Sequence, residues 1–114
     1  MELKVPKVWI ADDDEAIRIV LEEGLSRDGL EIKTFSDGQS LIDALNIDKP
    51  DLVISDIKMP GMHGYDLLKH IKNNYEKLPV IIMTAFTDMQ AAIDAYGGGA
   101  FEYLSAHNGN FEYL

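Results

Sequence analysis

The stretch VWIADDDEAIRIVLEEGL, residues 8–25, carries three patterns in succession. Val8 to Ala11 are apolar without alternation, as expected of a strand covered on both faces in a parallel sheet. Three acids follow at once. Beyond Asp14, residues Ile17, Val20, Leu21 and Leu25 recur at helical spacing, with Asp14 as a candidate N-cap and Gly29 near the stop. The segment therefore reads as strand, acidic turn and helix, and the rest of the chain repeats that plan. LVIS (52–55) and VIIM (80–83) are further unbroken apolar runs, and LEIKTF (30–35) is a more polar one that suits a sheet edge. Ser36 and Asp37 introduce Leu41, Ala44 and Leu45; Gly64 precedes Leu67, Leu68, Ile71 and Tyr75; Thr87 and Asp88 precede Met89, Ala92, Ile93 and Tyr96. These spacings predict helices two, three and four. Gly97 to Gly99 end the fourth, because three glycines cost too much backbone entropy to continue a helix, and AFEYL (100–104) reads as a fifth strand. Alternating βα units joined by right-handed crossovers give an α/β fold, a doubly wound five-stranded parallel sheet with helices on both faces.

At 114 residues the chain is one domain's worth, and 46% hydrophobic with 26% charged residues is ordinary globular composition. A formal net charge of −10 repels phosphate backbones and anionic lipid, which argues against direct nucleic-acid or membrane binding. With no Cys there is no disulfide framework, thiolate nucleophile or zinc–thiolate site, in agreement with a reducing cytoplasm as the expected location. The apolar runs fall far short of the roughly 18 residues of a membrane span, and nothing before Lys4 reads as a signal peptide.

The C-terminus breaks the pattern. A fifth strand of this plan should be followed by a helix packing beside the first, yet SAHNGNFEYL (105–114) shows no amphipathic period. Instead, GGGAFEYL (97–104) and HNGNFEYL (107–114) share Gly, Phe, Glu, Tyr and Leu at a constant offset. The fifth strand is written twice and the final helix is missing. The expected division is a domain over 1–104 and an atypical tail over 105–114. The copy at 101–104 should fill the fifth-strand slot, leaving the second copy frayed or paired with another chain, so that a homodimer or strand exchange through the tail is open.

In an open α/β sheet the ligand site lies beyond the carboxyl ends of the strands, at the switch point of strand order. Asp12 and Asp13 follow the first strand there, and Asp56 follows the third. Like charges brought this close raise at least one pKa unless a cation joins them, and an all-oxygen site of carboxylates suits Mg²⁺. The competing reading, that Asp13 and Asp14 merely start the first helix where acids favour the positive dipole end, leaves Asp56 unexplained.

ADDDEAIR after the first strand, DIKMPGMHG after the third, MTA after the fourth and AFEYL as the fifth together resemble the receiver domain of bacterial two-component response regulators. The resemblance runs from about Lys7 to Leu104, and LPVIIMTA and GAFEYL look most like receivers of the NtrC type, which regulate transcription. It implies a flavodoxin-like strand order of 2-1-3-4-5. It makes Asp56 the phosphoacceptor, attacking a phosphohistidine of a partner histidine kinase or phosphotransfer protein. Mg²⁺ would be held by Asp13, Asp56 and the main-chain carbonyl of Lys58, with Asp12 acting through water. Thr84 would contact the phosphoryl group and Tyr103 would be the switch aromatic, while Met59, Pro60 and Gly64 shape the loop after Asp56. His63 stands where many receivers of this type carry Asp and reads as solvent-facing.

One departure bears on function. Receivers follow the fifth strand with a Lys, usually between prolines, whereas here the matching positions are Ser105, Ala106 and His107. Imidazole is shorter and only partly charged at neutral pH, so His107 is no substitute. The leading expectation is a phospho-accepting signalling domain with at most slow self-dephosphorylation rather than an enzyme, its effector domain absent from this chain. The alternatives are a receiver-fold interaction module that no longer switches and, remotely, a Mg²⁺-dependent hydrolase.

Overall fold

The computed structural model describes residues 4–85, 97, 102–107 and 110–113. In chain order the elements are β1 (Lys7–Ala11), α1 (Glu15–Arg27), β2 (Glu31–Phe35), α2 (Gly38–Leu45), β3 (Leu52–Asp56), α3 (Gly64–Asn74), β4 (Val80–Ala85), β5 (Glu102–His107) and β6 (Asn110–Tyr113). The predicted fourth helix, 87–96, lies outside the described residues.

The sheet order is β2-β1-β3-β4-β5-β6. Its first five strands are parallel and follow the expected 2-1-3-4-5, with β1 in the centre of the switch between β2 and β3. The sixth strand was not foreseen. Where the second FEYL copy was expected to fray or to pair with another chain, Asn110–Tyr113 pairs antiparallel with β5 of the same chain, from His107 opposite Asn110 to Leu104 opposite Tyr113. β5 also runs on through His107, past the Leu104 at which the fifth strand was expected to end.

Strand residues alternate between the two faces, as pleating requires. Trp9, Ala11, Val53, Val80 and Ile82 join Leu41, Ile42 and Leu45 of α2 and Leu67, Leu68 and Ile71 of α3 in the larger cluster. Val8, Ile10, Ile54 and Met83 face the other way and meet Ile17, Leu21 and Leu25 of α1. The larger cluster is the better sealed: α1 buries no side chain completely, and Ile19 and Val20 remain 47% and 57% exposed. Among the described residues no helix is long and apolar enough to cross a membrane.

Candidate functional site

The parallel register of β1 and β3 brings the acids together. Ala11 pairs with Ser55, so the next residues, Asp12 and Asp56, leave the sheet side by side at its carboxyl edge. One carboxylate oxygen each from Asp12, Asp13 and Asp56 lies within 4.8 Å of the others. Asp12 is buried, Asp56 half-buried and Asp13 exposed, so the cluster opens outward on the Asp13 side.

The DDD run divides its labour. Asp14 is the N-cap of α1, its Oδ1 accepting from the N–H groups of Ala16 at 2.9 Å and Ile17 at 3.3 Å. That satisfies two donors which the first helical turn leaves without intrahelical partners. Asp12 and Asp13 are left to the cluster, and of the two acids expected to start the helix only Asp14 caps it with its side chain. Asp12 is fixed from several sides. Its N–H donates to the Phe35 carbonyl at 3.0 Å, its Oδ1 accepts from the Asp14 N–H at 2.8 Å, and its carbonyl accepts from Arg18 Nη1 at 2.7 Å. Arg18 carried no signal in the sequence beyond lying a turn into the helix.

Burial, helped by the charges of Asp56, Asp13 and Asp14, pushes the Asp12 carboxyl up from 3.8 to about 6, against the lowering effect of the Asp14 N–H. Asp56 is raised as well, again chiefly by burial and then by Asp13 and Asp14, while the N–H groups of Lys58 and Ile57 pull the other way. The Lys58 N–H reaches Asp56 Oδ1 at 3.4 Å.

Behind Asp56 the loop closes tightly onto α3. The Ile57 N–H donates to the Met83 carbonyl at 3.0 Å, continuing the β3–β4 ladder, and the Gly64 N–H donates to the Ile57 carbonyl at 2.8 Å. A Cβ on Gly64 would stand 2.0 Å from the Asp56 carbonyl oxygen and 2.8 Å from Ile57 Cα, so only glycine fits. Gly61 takes a φ of 79°, the left-handed region that glycine enters without a Cβ penalty. Met59 is buried in the larger cluster and Pro60 is exposed, so the loop is anchored in the core at Met59 and reaches the surface at the next residue. His63 is exposed and is the N-cap of α3 without a side-chain capping bond, in keeping with the solvent-facing expectation.

Thr84 lies in β4 one residue beyond Met83, the partner of Asp56, and its own partner on β5 is Ser105. Tyr103 pairs with Ile82 two residues back from that edge. Ala106, where a Lys was expected by resemblance, continues β5 opposite Ala85.

The family described as response regulator receiver domain matches residues 8–109. The chain belongs to that family. Among its curated relatives, the DNA-binding transcriptional regulator NtrC of Klebsiella pneumoniae is 54% identical over 96 residues, 84% of this chain and 20% of the relative. NtrC of Escherichia coli strain K12 is 53% identical over 97 residues, 85% and 21% respectively. The chain thus spans about a fifth of the length of these relatives, and the part it matches is an NtrC-like receiver. The receiver fold recurs in the Vibrio cholerae chemotaxis response regulator CheY4, with a TM-score of 0.83 and 27% identity over 90% of this chain and 87% of that one. It recurs too in the response regulator TrrA of Thermotoga maritima, solved in complex with Mg²⁺–BeF, with a TM-score of 0.82 and 28% identity over 91% and 89%. A receiver is a signalling domain rather than a member of a catalytic enzyme family.

Proposed function

We propose that this receiver accepts a phosphoryl group on Asp56 from a phosphohistidine of a partner kinase or phosphotransfer protein. The observation that carries the reading is the convergence of Asp12, Asp13 and Asp56 at the carboxyl edge of adjacent strands. In the transfer, a carboxylate oxygen of Asp56 attacks phosphorus in line, the P–N bond breaks, and the departing imidazole keeps the electron pair and takes up a proton. The exposed side of the cluster leaves room for the incoming group.

The donor set fits Mg²⁺: three carboxylates within one small sphere, oxygen only, with no thiolate or imidazole among them. Asp13, Asp56 and the Lys58 carbonyl would hold the ion, with Asp12 acting through water. When bound, the ion supplies neutralisation of charge on the phosphoryl oxygens. Asp12 holds the position of the cluster from its buried side. Thr84, at the same edge of β4, would contact the phosphoryl group, and Tyr103 on β5 would change environment in response.

A division at 104 falls within β5, which runs on to His107, so it marks a change of sequence pattern inside one sheet. Association of two copies through residues 105–114 would involve the outer edge of β6, since its inner edge is taken by β5. The setting is the cytoplasm, and the output, in a longer regulator, is control of transcription through an effector domain outside this chain.

Incubation with acetyl phosphate and Mg²⁺, followed by intact-protein mass measurement, tests the proposal. One phosphoryl adduct on wild type and none on Asp56→Asn is the expected result. No adduct on wild type would favour a non-switching interaction module, for which Ala106 in place of Lys is the motive. Multiple turnover on a phosphate ester would instead indicate a hydrolase.

A further inference from the structure

Three carboxylates held this close oppose one another, and a turn free to move would swing Asp12 or Asp13 away. The bonds to Asp12 prevent that. Two of them are made by the strand next door and by the turn itself, through Phe35 and Asp14. The third comes from α1: the half-buried Arg18 donates from Nη1 to the Asp12 carbonyl at 2.7 Å. That oxygen lies at the pivot between β1 and the exposed Asp13. A guanidinium bonded there ties the pivot to the body of the helix while leaving the carboxylates of Asp12 and Asp13 to face Asp56.

We propose that Arg18 is a positioning residue for divalent-cation binding, holding the β1–α1 turn so that the carboxylates of Asp12, Asp13 and Asp56 are converged before the ion arrives. The role rests on the reading of the triad as a cation site. Groups that orient ligands from behind typically change metal affinity by 10–100-fold when removed. Simple electrostatics predicts the opposite sign: deleting a positive charge beside a cation site should tighten cation binding.

Calorimetric titration with Mg²⁺ of the whole chain, wild type against Arg18→Met and Arg18→Lys, separates the two, with melting in EDTA as the second readout. Arg18→Met retains much of the apolar stem and loses the donor; its Kd for Mg²⁺ should rise about tenfold or more, while its melting in EDTA stays near wild type. Arg18→Lys keeps a charged donor and should recover part of the affinity, which a purely structural or purely electrostatic role would not produce. Arg18→Gln, with a shorter neutral donor, serves if the Met variant folds poorly, and its Kd should also rise. Unchanged or tighter Mg²⁺ binding by Arg18→Met or Arg18→Gln would overturn the positioning role alone. Failure of wild type to bind Mg²⁺ would overturn the cation site, and the role with it.

Discussion

Asp12→Asn should make the metal-free protein more stable at neutral pH. The substitution keeps the shape of the side chain and the Oδ1 that accepts from the Asp14 N–H, and it removes a charge that is 2% exposed among three other acids. Folding raises the Asp12 carboxyl from 3.8 to about 6, so between those values the native state binds the proton more tightly than the unfolded chain. Stability must therefore fall as pH rises through that window, and the cost is complete above it. Each unit corresponds to about 1.4 kcal/mol, so the charge costs on the order of 2–3 kcal/mol at pH 7.5. For a domain of this size that is about 10 °C in melting temperature. The readout is Trp9, the single tryptophan, which is buried on β1 beside Phe35 with ring centroids 5.4 Å apart. In EDTA at pH 7.5 the variant should melt above wild type, and near pH 4 the two should converge. A shallower slope should survive in the variant, because Asp56 is raised in the same direction. If Asp12→Asn melts at or below wild type at pH 7.5 in EDTA, the buried Asp12 charge does not cost the native state stability.

Three further outcomes are expected. Gly64→Ala should lower stability by about 3 kcal/mol by forcing the Asp56 carbonyl away from α3, and chemical denaturation checks it; a loss under about 0.5 kcal/mol would mean that the loop yields. Thr84→Ala should leave phosphorylation of Asp56 largely intact but uncouple it from Tyr103, seen as a reduced chemical-shift change at Tyr103 on addition of beryllofluoride with Mg²⁺. In hydrogen exchange the amides of Asn110 and Glu112 should be slower than that of Phe111, since alternate residues of an antiparallel edge strand bond inward; uniform fast exchange over 110–113 would remove the β5–β6 pairing.

The unbroken apolar runs and the helical spacings were enough to place β1 to β4 and α1 to α3, because each element's period agrees with its place in a two-faced sheet. The acids at the strand ends were legible for the same reason: a carboxylate closing a buried strand has no packing role. Arg18 was not, since a side chain that bonds a backbone oxygen imposes no pattern on its neighbours. Gly64 was legible as a turn residue, but its contact with the Asp56 carbonyl belongs to tertiary packing alone. At the C-terminus a strand signal stands where the plan of the fold calls for a helical period. EYLSAH and NFEY are separated by Asn108 and Gly109, and Asn-Gly between two strand-like runs is the strongest short hairpin signature. That signature joins the second strand-like run to the first within one chain.

The central claim, that Asp56 is the residue that takes the phosphoryl group, is tested most directly by chemical trapping. After treatment with acetyl phosphate and Mg²⁺, borohydride reduces an acyl phosphate to an alcohol, and peptide mass spectrometry locates the residue that has become homoserine. Homoserine is expected at position 56, dependent on Mg²⁺ and absent after EDTA. Homoserine at position 12 or 13 instead, or none at any aspartate, would contradict the claim.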